Sequence, residues 1–207
     1  MPGIARLALF TDSIRICLRG ADLHYHPAPD LGMSADALLA RLRHEIPWQQ
    51  HHVNIASKVI AQPRLSSWHG DVVHRYSTLA HDLHPAPWNQ TLLVVREQVE
   101  RITGARFNSV LANLYRDGND AIGWHADDEP ELGPAPVIAS ISLGAERRFD
   151  LRRRDDHAEV VHLPLAHGSM LVMSGSTQRF WQHAMMRCRL SKARINLTFR
   201  FTQPSRR

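Results

Sequence analysis

Three features of this sequence predict a mainly β fold with flanking helices, an α+β arrangement. First, from Arg106 onwards the chain breaks into short, evenly spaced apolar–polar runs separated by turn residues, the pattern of a β-sandwich or barrel. Second, two windows upstream carry apolar residues at helical rather than strand spacing. Third, Arg194-Ile195-Asn196-Leu197-Thr198-Phe199-Arg200-Phe201 alternates without a break. With a side-chain period of two, Ile195, Leu197, Phe199 and Phe201 share one face and Arg194, Asn196, Thr198 and Arg200 the other. At 207 residues and 43% hydrophobic, the chain suits one domain over 1–207, with helices packed outside a β-core.

Taken in order, residues 1–30 show no strong periodicity and suggest one short element and a loop, closed by Pro27 and Pro29. Ser34 caps a helix whose stripe is Leu38, Leu39, Leu42 and Ile46, and Pro47 ends it. Val53 to Gly70 reads as paired strands around a turn near Ser57-Lys58. A second helix follows Pro87, with Leu92, Val95, Val99 and Ile102 on one stripe and Gly104 at its end. Strands then fall at Phe107–Tyr115, Pro136–Leu143, Arg148–Arg152, Glu159–Leu163, Ser169–Met173, around Phe180–His183, and at Arg194–Phe201. Asp117-Gly118-Asn119-Asp120 forms the turn after the first of these.

Net charge is +5, and Lys58 and Lys192 are the only lysines, so arginine carries nearly all the positive charge. Guanidinium forks suit phosphate and carboxylate, which permits a nucleic-acid partner without establishing one. No apolar run approaches the roughly 20 residues a bilayer span needs, so no membrane association is expected. The first ten residues have too short an apolar core for a secretory signal. Cys17 and Cys188 are the only cysteines and lie far apart, which fits a reducing compartment: the cytoplasm, or the nucleus in a eukaryote.

His125-Ala126-Asp127 sets an imidazole and a carboxylate two residues apart, on the same side of an extended backbone. One distant histidine would complete a two-His, one-carboxylate facial triad, the ligand set of non-haem Fe(II) oxygenases. His69-Gly70-Asp71 repeats the triplet but lacks an approaching strand like Val110–Tyr115, which carries Asn113 and Tyr115 on one face. His183 is favoured as third ligand, because it lies just before the arginine strand; His157, His162 and His167 are its rivals.

The arginine strand and the triad explain each other. A dicarboxylate co-substrate on the iron needs a cation at its far end, and Arg194 can donate to that carboxylate bidentately. Asn113, Tyr115 and Asn196 can donate further hydrogen bonds. Arg200, on the same face, either holds the metal-proximal carboxylate or orients Asp127.

These residues, in order, resemble a known family. Asn113-Leu114-Tyr115, Gly118, His125-Ala126-Asp127-Asp128-Glu129, Ile138 to Gly144, His183 and Arg194 to Arg200 together are similar to the AlkB family of Fe(II)- and 2-oxoglutarate-dependent nucleic-acid dealkylases. The likeness covers about residues 55 to 202 and leans toward the eukaryotic DNA-repair homologues, supported by Gln62-Pro63-Arg64 and Trp68-His69-Gly70-Asp71.

The resemblance implies a double-stranded β-helix (jelly-roll) core over 106–202, a helical and hairpin substrate lid over 51–85, and an N-terminal extension over 1–50 without functional reading. It implies Fe(II), O2 and 2-oxoglutarate, with iron on His125, Asp127 and His183 and the co-substrate on Asn113, Tyr115, Arg194, Asn196, Thr198 and Arg200. It places Trp68 and His74-Arg75-Tyr76 in the lid that grips the damaged base, with Asp128 and Glu129 at the base's amino group. Members acting on duplex DNA insert an aromatic wedge from a hairpin whose tip here is Ala56-Ser57-Lys58, without an aromatic ring.

The expected function is therefore oxidative demethylation of 1-methyladenine and 3-methylcytosine, releasing formaldehyde and succinate. The expected partner is methylated DNA, single-stranded by preference, with RNA as a further substrate, and the protein is expected to be a monomer. The competing readings are a dioxygenase acting on RNA, protein or a small molecule, and a non-catalytic nucleic-acid-binding module. Fe(II)-dependent succinate formation separates the enzyme from the module.

Overall fold

Two helices and one face of a large sheet meet in a shared apolar layer, and that layer turns the sheet's polar face inward. The computed structural model describes residues 13–55, 58–71 and 85–203. Helix α1, Ala35–Glu45, starts at Ser34, whose hydroxyl accepts from the Ala37 N–H at 3.2 Å. Helix α2, Gln90–Thr103, starts at Asn89, whose side chain accepts from the Leu92 N–H at 2.8 Å. It ends on Gly104, whose φ of 67° lets its N–H reach back to Glu100. Leu38, Leu42, Leu92, Val95 and Val99 from these helices pack on Ile195, Leu197 and Phe199.

The strands are β1 (Ile14–Ile16), β2 (Asp22–His26), β3 (His52–Ile55), β4 (Lys58–Ala61), β5 (Leu65–Gly70), β6 (Ser109–Tyr115), β7 (Ile122–His125), β8 (Ile138–Gly144), β9 (Arg147–Arg153), β10 (Val160–Leu165), β11 (Ser169–Ser174), β12 (Trp181–Met185) and β13 (Arg194–Arg200). A seven-stranded sheet runs β1-β2-β11-β8-β13-β6-β5, and a four-stranded sheet runs β10-β9-β12-β7. Strand pairs within both sheets are antiparallel. A second apolar cluster, with Tyr115, Phe149, Leu151, Leu171, Met173 and Trp181, draws on strands of both sheets. Two antiparallel sheets with a site between them are the jelly-roll arrangement.

Three local readings are corrected by the structure. Residues 14–26 form two strands rather than one short element, because Asp22–His26 alternates and β2 pairs fully with β11. The Val53–Gly70 stretch is not one hairpin: β3 pairs with β4, while β5 leaves to pair with β6 in the large sheet. Phe201 does not extend the apolar face of β13; the strand ends at Arg200 and Phe201 is 48% exposed. Among the described residues, no helix is long and apolar enough to cross a membrane.

The turn at Asp117 is held as its composition suggested. Asp117 accepts from the Asn119 N–H, and Asp120 takes the Arg116 guanidinium with both oxygens at 2.8 Å. Gly118 is required by close approach: a Cβ there would meet the Cys188 carbonyl at 2.0 Å. That contact draws the segment after β12 against the turn leading into β7.

Candidate active site

His125 and His183 are direct cross-strand partners between β7 and β12. Their rings lie 4.2 Å apart, and ligand atoms of His125, Asp127 and His183 all fall within 4.8 Å of one another. This is the cluster able to hold a metal ion among the described residues. The His125 Nδ1 lies 2.8 Å from the Gly123 carbonyl, which can only accept, so Nδ1 carries the proton and Nε2 offers its lone pair. Phe149 stacks on His183 at 5.1 Å and closes its far side.

Two groups aim Asp127. Arg200 Nη2 donates to Oδ1 at 2.6 Å, and the Asp127 N–H donates to Gln178 Oε1 at 2.9 Å. Of the two roles open to Arg200, orienting Asp127 is the one the geometry shows. Burial alone would raise the Asp127 carboxyl, but the Arg200 guanidinium and both imidazoles outweigh it and hold the group below the usual carboxylate range. Burial pushes His183 down to about 3, and burial likewise lowers His125. At neutral pH the set is two neutral imidazoles and one carboxylate, the protonation state that a divalent cation requires.

The same shifts fix how the metal-free protein responds to acid. Below the ordinary value of 6.5 the unfolded chain binds a proton that buried His183 refuses until about 3. Stability is therefore complete above 6.5 and falls as pH drops through that window. Asp127, with its lowered value, adds a loss of the same sign further down. The denaturant midpoint should decline steadily across this window, and His183→Leu should flatten the decline.

The triad opens into a cavity of about 920 Å³, enough for a dicarboxylate and a base together. Asn113, Tyr115, Arg194, Asn196, Thr198 and Arg200 line it, as do Asp128 and Glu129. Arg194 is 1% exposed, gives Nη2 to Ser142 Oγ at 2.8 Å, and lies 5.4 Å from the Tyr115 ring. Its Nε is buried without an acceptor, and burial pulls its pKa down to about 10, so it stays cationic at neutral pH. A buried, donor-rich cation that meets no carboxylate among the described residues suits the far end of a dicarboxylate.

Other assignments are placed differently. Asn196 does not keep its amide N–H groups for a ligand; they go to Ser140 Oγ and the Ile141 carbonyl, while Thr198 donates to its oxygen. Asp128 is held by Arg154 at 2.6 Å, and burial raises the carboxyl of Glu129. Trp68 is buried at 2% within β5 and does not line the cavity, and exposed Lys58 does not either. Ala56, Ser57, His74, Arg75 and Tyr76 lie outside the described residues.

The decoy and the rivals have other partners. His69 contacts the Pro87 carbonyl at 2.8 Å and Ser67, His162 pairs with Asp150, and His167 accepts from the Gly144 N–H. His157 is exposed. The roles of two residues escaped the sequence reading. Arg64, buried at 9%, donates Nε to Asn113 Oδ1 at 3.0 Å; Gln178 offers nothing in the sequence that foretells its grip on Asp127.

Comparison with known proteins places these features in a lineage. The family described as 2OG-Fe(II) oxygenase superfamily matches residues 32–200. The chain is 40% identical over 182 residues to the bovine alpha-ketoglutarate-dependent dioxygenase alkB homolog 3, covering 84% of this chain and 63% of that protein. It is 38% identical to the rat alkB homolog 3 over 215 residues, 99% of this chain and 70% of that one. To the human DNA oxidative demethylase ALKBH2 it is 39% identical over 177 residues, 80% and 68% of the two chains. A solved structure of OsALKBH1 shares the fold at TM-score 0.60 and 16% identity, over 91% of this chain and 100% of that one.

Proposed function

Because the chain belongs to the AlkB family within the 2OG-Fe(II) oxygenase superfamily, we propose that it demethylates N-methylated bases in nucleic acid, using Fe(II), 2-oxoglutarate and O2. The observation that carries this reading is the His125–Asp127–His183 cluster, with Asp127 and His183 buried, sharing one cavity with buried Arg194. Iron held by those three ligands would supply the oxidising power, O2 being spent on converting 2-oxoglutarate to succinate and carbon dioxide and on hydroxylating the methyl carbon, which is then lost as formaldehyde.

The chain's own residues do the positioning. Arg194 takes the far carboxylate of 2-oxoglutarate, and Asn113, which lines the cavity with its oxygen fixed by Arg64, is left with its amide N–H groups to donate. Arg200 keeps Asp127 ionised and aimed. Asp128 and Glu129 line the cavity, where their carboxyl oxygens offer acceptors for the amino group of 1-methyladenine or 3-methylcytosine.

Single-stranded DNA is the preferred substrate in this reading, with RNA as a further one, because the Ala56-Ser57-Lys58 tip offers no ring to fill the gap left by a flipped base. Val59, 66% exposed, and Ile60 are the features that favour duplex instead. The enzyme is read as a monomer of a reducing compartment, cytoplasmic or nuclear, consistent with its two free thiols. Matched single- and double-stranded oligonucleotides carrying 1-methyladenine test the proposal, with loss of the methyl group followed by mass spectrometry and succinate measured alongside. Faster repair of the single strand is expected. A strong duplex preference overturns the strand assignment, and no Fe(II)-dependent succinate overturns the enzyme.

A further inference from the structure

Trp124 and Arg152 form an arrangement that the reaction chemistry leaves unused. Trp124 directly precedes His125 on β7, an edge strand of the four-stranded sheet, and lines the cavity. Arg152 comes from β9, with β12 between them. In register, Arg152 faces Gln182 while Leu151 faces His183, so Arg152 and Gln182 occupy the side of the sheet opposite the metal ligand. Arg152 donates Nε and Nη2 to Gln182 Oε1 at 3.1 and 2.9 Å, and its guanidinium carbon lies 4.4 Å from the Trp124 ring centroid.

The charges around Arg152 make it unusual. Arg148 pairs with Asp150, Arg153 with Asp155 and Arg154 with Asp128. Arg152 is fixed instead by a neutral amide, and no carboxylate pairs with it among the described residues. Its Nη1 makes no hydrogen bond among them either. The indole is half-buried, and no second ring or cation meets it among the described residues. A pair serving packing alone would not need a retained charge against the ring of a cavity-lining tryptophan. A fixed aromatic plane next to a fixed, uncompensated guanidinium suits a base and its phosphate.

We propose that Trp124 and Arg152 form a docking site for the nucleotide next to the flipped base of a single-stranded nucleic acid. The neighbouring base stacks on the Trp124 indole, and Arg152, held in plane by Gln182, takes that nucleotide's phosphate. The inference rests on the nucleic-acid reading above and adds to it a determinant outside the reacting centre.

The test measures binding by fluorescence anisotropy to the Mn(II)- and 2-oxoglutarate-loaded protein under anaerobic conditions. The probes are a methylated single strand of about twelve nucleotides and the free methylated nucleoside as competitor. Trp124→Ala should weaken the long strand about tenfold and the nucleoside hardly at all, because stacking on one base is lost. Trp124→Phe should recover most of the affinity, which a merely structural defect would not allow. Arg152→Met should also weaken the long strand and should lower its salt slope by about 0.7, one single-strand phosphate contact. Unchanged long-strand affinity in Trp124→Ala, or an equal loss for strand and nucleoside, overturns the docking site alone. Failure of the native protein to bind any methylated strand overturns the nucleic-acid reading and this inference with it.

Discussion

Asp127→Ala is expected to abolish metal binding and turnover together and to destabilise the metal-free protein by about 3–5 kcal/mol. The carboxylate is the one anionic member of the triad, and two neutral imidazoles alone make a poor site for Fe(II) or Mn(II). The stability loss has a separate cause. Asp127 and Arg200 are buried at 3% and 4%, and the guanidinium would lose the carboxylate that offsets its desolvation. Glu129, close enough for its charge to be felt by Arg200, places the cost toward the lower end of that range. Adding Arg200→Met to Asp127→Ala should restore much of the stability and none of the Mn(II) affinity. Calorimetric Mn(II) titration and denaturant midpoints on both variants check this. Retained Mn(II) affinity in Asp127→Ala removes it from the ligand set, and an unchanged midpoint removes the buried-pair argument.

What could be read from the sequence was whatever depends on neighbours in the chain. The two helices were legible because Ser34 and Asn89 cap stripes of leucine and valine, and both ends follow local hydrogen-bond rules. Strand β13 was legible because alternation alone sorts its faces, and the structure puts Ile195, Leu197 and Phe199 against the helices while Arg194 and Arg200 line the cavity. The His125–Asp127 spacing was legible for the same reason. His183 was reached by its place in the chain order rather than by spacing, and register with His125 is what brings it in.

The rest depends on long-range pairing, which leaves little local trace. Strand β2 joins the rest of the large sheet through β11, nearly 150 residues later, so its short alternation carried little weight. Gln178 sits in a one-turn helix, α3 (Thr177–Phe180), whose use becomes visible only once the backbone of Asp127 is beside it. Arg64 was noticed as part of a motif, but its bond to Asn113 spans 49 residues and has no sequence signature. Asn196 shows the limit of alternation: its face was read correctly and it lines the cavity, while its amide N–H groups donate to β8. Period two places a side chain on a face; it does not say which neighbours will claim its donors.

Arg194→Met should have the opposite effect on stability and a comparable effect on function. Loss of a buried charged hydrogen-bond pair at a binding site costs about 2–5 kcal/mol, or roughly thirtyfold to several thousandfold in 2-oxoglutarate affinity. Yet the metal-free fold gains nothing from this charge. Arg194 is 1% exposed, one nitrogen reaches a neutral hydroxyl, and its Nε is buried with no acceptor among the described residues. Burial weighs most against the charge and nearby Arg147 adds repulsion, while Tyr115, its ring 5.4 Å away, favours it. An apolar side chain of similar length removes an unpaired buried charge, so the denaturant midpoint should hold or rise. Arg194→Lys should keep part of the affinity, since an ammonium provides charge without the two-pronged fork. Titration of 2-oxoglutarate into the Mn(II)-loaded variants, beside the midpoints, separates the two terms. Unchanged affinity in Arg194→Met would remove the co-substrate from this end of the cavity, and a sharply lowered midpoint would mean that Arg194 is a structural residue instead.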